Sequence, residues 1–528
     1  MLAIGSNPND GLDLTLHIFC YLLIGGWVFL VLLHLLGSSY GQCVNETFIL
    51  QYSQQPVMLF LHFVYLLALT TTLVLSILVI ILVWLFHLGG MSYGYYKFHR
   101  KTLSINSKEL PGISIIKPLT CVDTNLSENL KTFFNLKYPR YEILFCVQEH
   151  NSELIDIIER LRIQYPHVDS QLFVGNPMEE KNTHENLKDV PNKRKQKPWW
   201  KRILPCGSKK VGTTEETIGF ETDEIKNPKI FNMLPAYDKA QYPLFLISDS
   251  GLLMHEDALY DMASCMTDDV GLVHQMPFTC DRKGFAGSVE KVYFGTQHAR
   301  MYMTINLIGI NCVTGMSCLI RKEIIDRAGG LKAFGNYIAE DFYIAAEVTK
   351  QHWKIRVAPT PAQQNSGDYS ISIWVERMIR WFKLRMRLSP LAYIEPLQEC
   401  FTSAALAGVV TDYLFQWNAL VVAACHILLW FLFDYFMLRI TQGGPLPFSK
   451  FEFAIAWLVR ELSAYYIYFK AFTGSSTIRW RGKEYQLGSG TRAEEIYSPP
   501  SSPVPTIVIE ASSTSSPSTG THLLPPSI

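Results

Sequence analysis

The sequence predicts an α/β domain held between two membrane regions. Three patterns carry that reading: strand-like and helical runs alternate through the middle of the chain, long apolar runs lie near both ends, and a basic cluster stands where the second apolar run stops. Strands are expected at 112–117, 141–147, 171–175, 242–248 and 271–275. Between them the helical period is clearest at 153–165, where Leu154, Ile157, Ile158 and Leu161 recur on one face. Ligands of an open α/β sheet sit beyond the carboxyl ends of its strands. The first candidates for chemistry are therefore Asp123 after the first strand, the segment from Gln148 to Ser152 after the second, and Asp249-Ser250-Gly251 after the fourth.

The membrane segments fix where that chemistry happens. Residues 15–36 form an apolar run of about the ~20 residues needed to cross a bilayer, and 57–88 form a longer one. The first run has no basic n-region, so a retained helix is expected rather than a cleaved signal. Lys97, His99, Arg100 and Lys101 follow the second run, whereas the loop between the runs has no Lys or Arg. Cytosolic flanks carry the positive charge, so the central region is expected in the cytosol and the loop with its Asn45-Glu46-Thr47 sequon in the lumen. Near the C-terminus, 404–438 is apolar but interrupted by Asp412, Trp417, Asn418 and Asp434; 451–472 is interrupted by Arg460 and Glu461. Those two charges either pair within a bundle or mark a helix at the interface. The basic stretch at 478–483 then implies a cytosolic end and an even number of crossings. From Ser498 the chain is rich in Ser, Pro and Thr, and a disordered tail is expected. The expected organisation is a membrane region at 1–96, a catalytic domain at 97–400 with a long loop at about 176–226, a membrane and interfacial region at 401–485, and a tail at 486–528.

Composition narrows the function classes. Charged residues make up 18% of the chain, below the roughly 25% of soluble domains, and hydrophobic residues 48%, which agrees with the membrane runs. The 47 basic and 47 acidic side chains cancel, which removes the electrostatic basis for general nucleic-acid binding. Eleven cysteines without a CxxC pair argue against a zinc module or a cystine scaffold and fit a reducing compartment.

Three aspartates and a basic-aromatic motif stand in a particular order: Asp123 in CVDTNL, Asp249 in ISDSG, Asp341 in YIAED, then Arg377-Met-Ile-Arg380-Trp381. The order resembles the D, D, D, (Q/R)xxRW pattern of inverting GT-A glycosyltransferases. The reaction this resemblance implies, transfer from a nucleotide sugar to an alcohol, needs a base for the hydroxyl proton and neutralisation of the departing diphosphate. One catalytic carboxylate suffices, unlike the pair of most glycosidases. The wider wording, in PGISIIKPL, NPKIFNMLPAY, CVTGMSCLIRK, YIAEDF and RMIRW, resembles the ceramide glucosyltransferases from about 111 through 485.

This resemblance implies a Rossmann-like GT-A catalytic domain in the cytosol, UDP-glucose as donor, ceramide as acceptor, inversion, and a Golgi or related endomembrane. It implies Asp341 as the base, Asp249 as carboxylate for Mg²⁺ or Mn²⁺, and Asp123 at the uridine. It places Lys229 and Asn232 in the donor loop, with Glu149 lining the same pocket. Arg377 and Arg380 would meet diphosphate, and Trp381 the acceptor, with His298 a further substrate contact. Plainer readings stand beside each: a helix cap for Asp341, turn or loop residues for Asp249 and Asp123, solvated charges for Glu149 and Lys229, an interfacial helix for 377–381, and a structural imidazole for His298. A processive polysaccharide synthase shares the three acidic sites, and a silent lipid-binding scaffold is the non-enzymatic alternative. The chain departs from the family pattern in three places. VQEHNS stands where an aspartate-rich segment is usual, the stretch at about 176–226 with its basic NKRKQKPWWKR run is long, and two N-terminal spans replace a single anchor.

Overall fold

A computed structural model describes residues 2–3, 56–99, 110–175, 225–367, 369–480, 483–488 and 491–495. The apolar run at 15–36, the sequon and most of the long loop lie outside the described residues. The second apolar run is helix α1, Pro56–Phe98, which extends ten residues past the end of the apolar run and carries Lys97 in its last turn. Its lipid-like composition continues into Gly89 and Gly90, whose lack of side chains lets it approach the catalytic domain closely.

The central domain is a seven-stranded mixed sheet. Its strands are β1 Ile113–Leu119, β2 Tyr141–Val147, β3 Asp169–Val174, β4 Leu244–Ser248, β5 Val270–His274, β6 Ser317–Arg321 and β7 Lys354–Val357, in the spatial order β7-β5-β6-β4-β1-β2-β3. Strands β4, β1, β2 and β3 run parallel, β6 runs antiparallel between β4 and β5, and β7 is parallel to β5. The five expected strands are present with ends moved by at most two residues, and the helix expected at 153–165 is Ser152–Gln164. Strands β6 and β7 were not anticipated. The parallel strands read as near-continuous apolar runs because both faces are covered: Ile115, Phe145 and Leu246 pack on one side, Ile116, Leu144 and Ile247 on the other.

Four helices link the sheet to its site: α2 Pro228–Lys239, α3 Ala299–Leu307, α4 Glu340–Lys350 and α5 Ile371–Leu388. A π-helical turn, Phe294–His298, leads directly into α3. The C-terminal apolar run divides into α6 Cys400–Phe415 and α7 Ala419–Gln442, separated at Gln416 in the left-handed conformation, and α8 Lys450–Thr473 follows. Of the described helices, α1 and α7 are long and apolar enough to cross a membrane.

Arg460 and Glu461, expected either to pair in a bundle or to lie at the interface, are buried and paired. Arg460 meets Asp434 at 3.2 Å, Glu399 at 3.3 Å and Glu461 at 2.8 Å. The folded chain also extends past its expected end. Strands Thr477–Trp480, Lys483–Leu487 and Ala493–Glu495 form a small antiparallel sheet whose Ile478, Tyr485 and Leu487 pack on Ile338 and Leu384. Part of this sheet falls within the tail expected from 486, and the sheet packs on the central domain.

Candidate active site

A cavity of about 360 Å³ opens beyond the carboxyl ends of β1 and β4. Asp123, Lys229, Asp249, His298, Asp341, Arg377, Arg380 and Trp381 all line it. Eight of the ten residues singled out in the sequence thus converge from segments spread over 259 positions, from 123 to 381.

The acidic wall is organised by one lysine. Asn227 caps α2, its Oδ1 accepting from the backbone N–H groups of Lys229 and Ile230, with Pro228 in the first turn where no N–H is needed. This start fixes Lys229 in the first turn of α2. Its Nζ lies 2.9 Å from Asp249 Oδ1 and 3.0 Å from Glu340 Oε1, and donates to the carbonyl of Gly315 at 3.0 Å. Burial alone would lower the pKa of this ammonium; Asp249 and Glu340 outweigh burial and hold it above the ordinary range. Lys229 is therefore a buried charge of the site and not a surface lysine.

Asp341 is the second residue of α4, and Ala339 occupies the cap position, so the helix-cap reading does not hold. Its Oδ2 accepts the N–H of Gly315 at 2.8 Å and its Oδ1 that of Phe342 at 2.8 Å. A Cβ on Gly315 would stand 2.8 Å from Asp341 Cβ, so only glycine permits this approach. Burial raises the Asp341 pKa to about 6, with the neighbouring Glu340 charge adding to it and the Gly315 N–H and Lys229 opposing. A carboxyl poised there is basic enough to take a proton yet ionised at neutral pH.

Behind the acidic wall, Lys117 of β1 is fully buried. It donates to Asp249 O at 2.6 Å and to Ser248 Oγ at 3.2 Å, and lies over the Phe133 ring. Burial lowers its pKa to about 7, with Asp249 opposing. The turn that presents Asp249 is thus held from below, while the Asp249 side chain itself is 43% exposed to the cavity. Asp123 Oδ1 accepts the N–H of Asn125 at 2.9 Å, so this residue both forms the turn and lines the cavity.

Helix α5 supplies the opposite wall. Arg377 donates to Gln364 Oε1 at 3.0 Å, meets Glu290 at 3.3 Å, and lies over the Trp381 ring at 4.6 Å. Arg282 pairs with the same buried Glu290. His298 is buried, its ring stacked on Tyr302 with centroids 5.4 Å apart; burial holds its pKa well below the ordinary value, so it is neutral.

Two expected site residues stand elsewhere. Asn232 is buried and donates to Leu119 O at 3.2 Å and Cys146 O at 3.1 Å, tying the ends of β1 and β2 together. Glu149 is exposed and is not among the lining residues. In the same VQEHNS segment, Asn151 caps the helix at 152, accepting from Leu154 N–H at 3.0 Å. The departure from an aspartate-rich segment is thus partly a helix start. Sequence reasoning missed Glu340, Gly315, Lys117, Arg385 and Trp480. Glu340 was legible in YIAED, adjacent to the chosen base; Trp480 was not, because it arrives on the C-terminal sheet. Among the described residues no three His, Cys, Asp or Glu side chains converge as a metal-ligand set.

The model of Glycosyl transferase family 21 matches residues 82–188 and 215–493. The unmatched gap falls within the stretch that reads as unusually long. Ceramide glucosyltransferase 3 of Caenorhabditis elegans is 36% identical over 410 residues, covering 77% of this chain and 79% of that protein. Ceramide glucosyltransferase 1 of the same organism is 33% identical over 431 residues, covering 81% of each. A solved mannosyltransferase from Pyrobaculum calidifontis, in complex with GDP-Man and Mn²⁺, shares 13% identity over 75% of this chain and 98% of its own, with a TM-score of 0.39.

Proposed function

The chain belongs to Glycosyl transferase family 21, and from that premise we propose that it transfers glucose from UDP-glucose to a hydroxyl of ceramide with inversion, releasing UDP. The observation that carries the reading is Asp341: a carboxyl raised to about 6, fixed by Gly315, in one cavity with Asp249, Lys229 and two arginines of α5. Asp341 accepts the ceramide hydroxyl proton as the oxygen attacks the anomeric carbon from the face opposite the departing UDP. One displacement inverts the centre. Arg380 and Arg377 neutralise the diphosphate, Asp123 contacts the uridine, and Trp381 and His298 border the acceptor. Lys229 acts through Asp249 and Glu340, to which it is bonded.

Asp249 is a hard oxygen donor at the cavity surface and fits Mg²⁺ or Mn²⁺, with phosphate oxygens and water completing its shell. Such a cation would supply further neutralisation of the leaving diphosphate. The catalytic domain faces the cytosol on a Golgi or related endomembrane, where the donor arrives from solution and the acceptor from the bilayer.

The test is incubation of membranes containing the protein with labelled UDP-glucose and ceramide, followed by analysis of the lipid product. Labelled glucosylceramide without long glucan is expected. A polymer would instead indicate the processive synthase, and expressed protein without donor turnover the silent scaffold.

A further inference from the structure

Two small cavities, of about 30 and 20 Å³, share Met301 and Arg385 with the catalytic one. The smaller of the two runs between α3, through Ile305, and a 3-10 helix at Pro390–Gln398, through Ala392; Leu388 and Ser389 also line it. Next along the same two elements stand four exposed apolar side chains: Leu307 and Ile308 on one side, Leu391 and Ile394 on the other, 39–57% exposed. Large apolar groups exposed on both elements that wall a cleft mark a surface that meets something apolar.

The cleft also carries polar atoms with no partner. Arg385 Nε and Ser389 Oγ are buried without a hydrogen bond, as is His298 Nδ1 where the route joins the catalytic cavity. Ser389 is 6% exposed, so solvent does not readily satisfy it. Buried polar atoms left unpaired are costly, and a ligand carrying an amide or hydroxyl would complete them. Arg385 is anchored by its other end, 3.0 Å from Glu395 Oε2.

We propose that the cleft between α3 and the 390–398 helix binds the hydrocarbon chain of the acceptor lipid. In that position Arg385 and Ser389 hydrogen-bond the lipid's polar linkage, and the reacting hydroxyl passes Met301 toward Asp341. The assignment rests on the reading of ceramide as acceptor. The cleft is narrow, and its walls include Met301 and Leu388, unbranched or rotatable side chains that reorient to admit a chain.

A ceramide carrying a diazirine in its sphingoid chain, photolysed in membranes with the full-length protein and UDP, tests the site directly. Labelled peptides should include 305–308 or 388–394; a map with neither segment overturns the proposal. Independently, Ala392→Trp fills the cleft and should raise the KM for long-chain ceramide at least about tenfold, as expected where overpacking excludes a chain. The donor KM is the internal reference. A ceramide KM equal to wild type also overturns the proposal. Absence of glucosylceramide from wild-type membranes would reject the function itself; glucosylceramide formation without label in either segment rejects only the cleft.

Discussion

At the residue scale, the chemistry depends on which carboxyl holds its proton. Asp341 must be ionised to accept one, and its pKa is raised to about 6 by burial first and by Glu340 second. Turnover should therefore rise with pH through about 6 and level off above it. Glu340→Gln removes one of the two raising causes, so the acid limb should move to lower pH, read from kcat/KM between about pH 5 and 8. An unmoved limb would mean that Asp341 does not set it. Asp341→Asn should insert normally and lose about 10² to 10⁴ in turnover, because an amide cannot accept the proton; near-normal turnover by folded protein rejects the role. Arg380→Lys separates phosphate binding from membrane anchoring. A lysine keeps the charge and a snorkelling stem but not the planar fork, so membrane association should persist while the donor KM rises or kcat falls. Parent-like behaviour across a UDP-glucose titration favours anchoring. That Asp249 and Asp341 share one cavity was foreshadowed by the strand end that carries Asp249 and, for Asp341, by the order of motifs rather than by its local spacing. Asn232 lies behind the cavity wall, a buried amide that ties two strand ends, and nothing local in NPKIFN distinguishes such a position from a lining one.

At the element scale, the membrane helices and the catalytic domain share one buried polar system. Arg300 of α3 meets Asp434 of α7, which also takes Arg460 of α8 and the indole N–H of Trp457 at 2.9 Å. Gly90 of α1 lies against Arg300, where a Cβ would stand 2.7 Å from the Arg300 carbonyl, and Thr304 donates to Phe86 O at 2.7 Å. The site-bearing π turn and α3 are thus fastened to α1 and α7. Arg460→Ala leaves Asp434, Glu399 and Glu461 with their shared cation gone, and breaking such a buried pair costs about 3–5 kcal/mol. Thermal unfolding in detergent should show a clear loss of stability; a wild-type midpoint would show that the charges carry little of the packing. Arg460 and Glu461 were visible in the sequence as a possible pair, but the other two partners of Arg460 were not, because Glu399 and Asp434 come from other elements. The C-terminal sheet was missed for a related reason. Its strands are three to five residues long, and their apolar faces are explained only by Ile338 and Leu384, far away in sequence. There Thr491 O accepts the N–H of Ile338 at 3.1 Å, three residues before Asp341.

At the scale of the whole molecule, the helix ends decide how the chain sits in the membrane. Helix α7 finishes at the catalytic domain: Gln442 accepts from Lys291 at 2.8 Å and donates to Asp281 at 3.1 Å. Helix α6 begins beside Glu399 and pairs lengthwise with α7, so the turn at Gln416 and Trp417 lies at the end of this hairpin away from the domain. Along that hairpin α1 packs through Leu73 against Leu406 and Val410. Helix α8 differs. Its start meets the domain through Ser288 and Glu452 at 2.6 Å, and just past its end Lys383 of α5 donates to Ser475 O at 2.9 Å. Both ends on the domain describe a helix lying along it, so of the described helices α1 and α7 are the two long and apolar enough to cross a membrane, with α6 shorter at 16 residues. The sequence left this open because no Gly or Pro marks the break at Gln416, whereas Gly443, at φ +64°, ends α7 as a glycine commonly does. On a topology with the domain in the cytosol, as the positive-inside rule predicts, and the α6–α7 hairpin passing through the bilayer, the two turns face opposite sides. In protein whose Cys20, Cys43, Cys121, Cys206 and Cys425 are replaced, Gly444→Cys should react with an impermeant maleimide in sealed vesicles oriented cytosol-side out. Trp417→Cys should react only after detergent opens them. Labelling of both before detergent would show that the hairpin does not cross, and labelling of Trp417→Cys alone would invert the orientation of the domain.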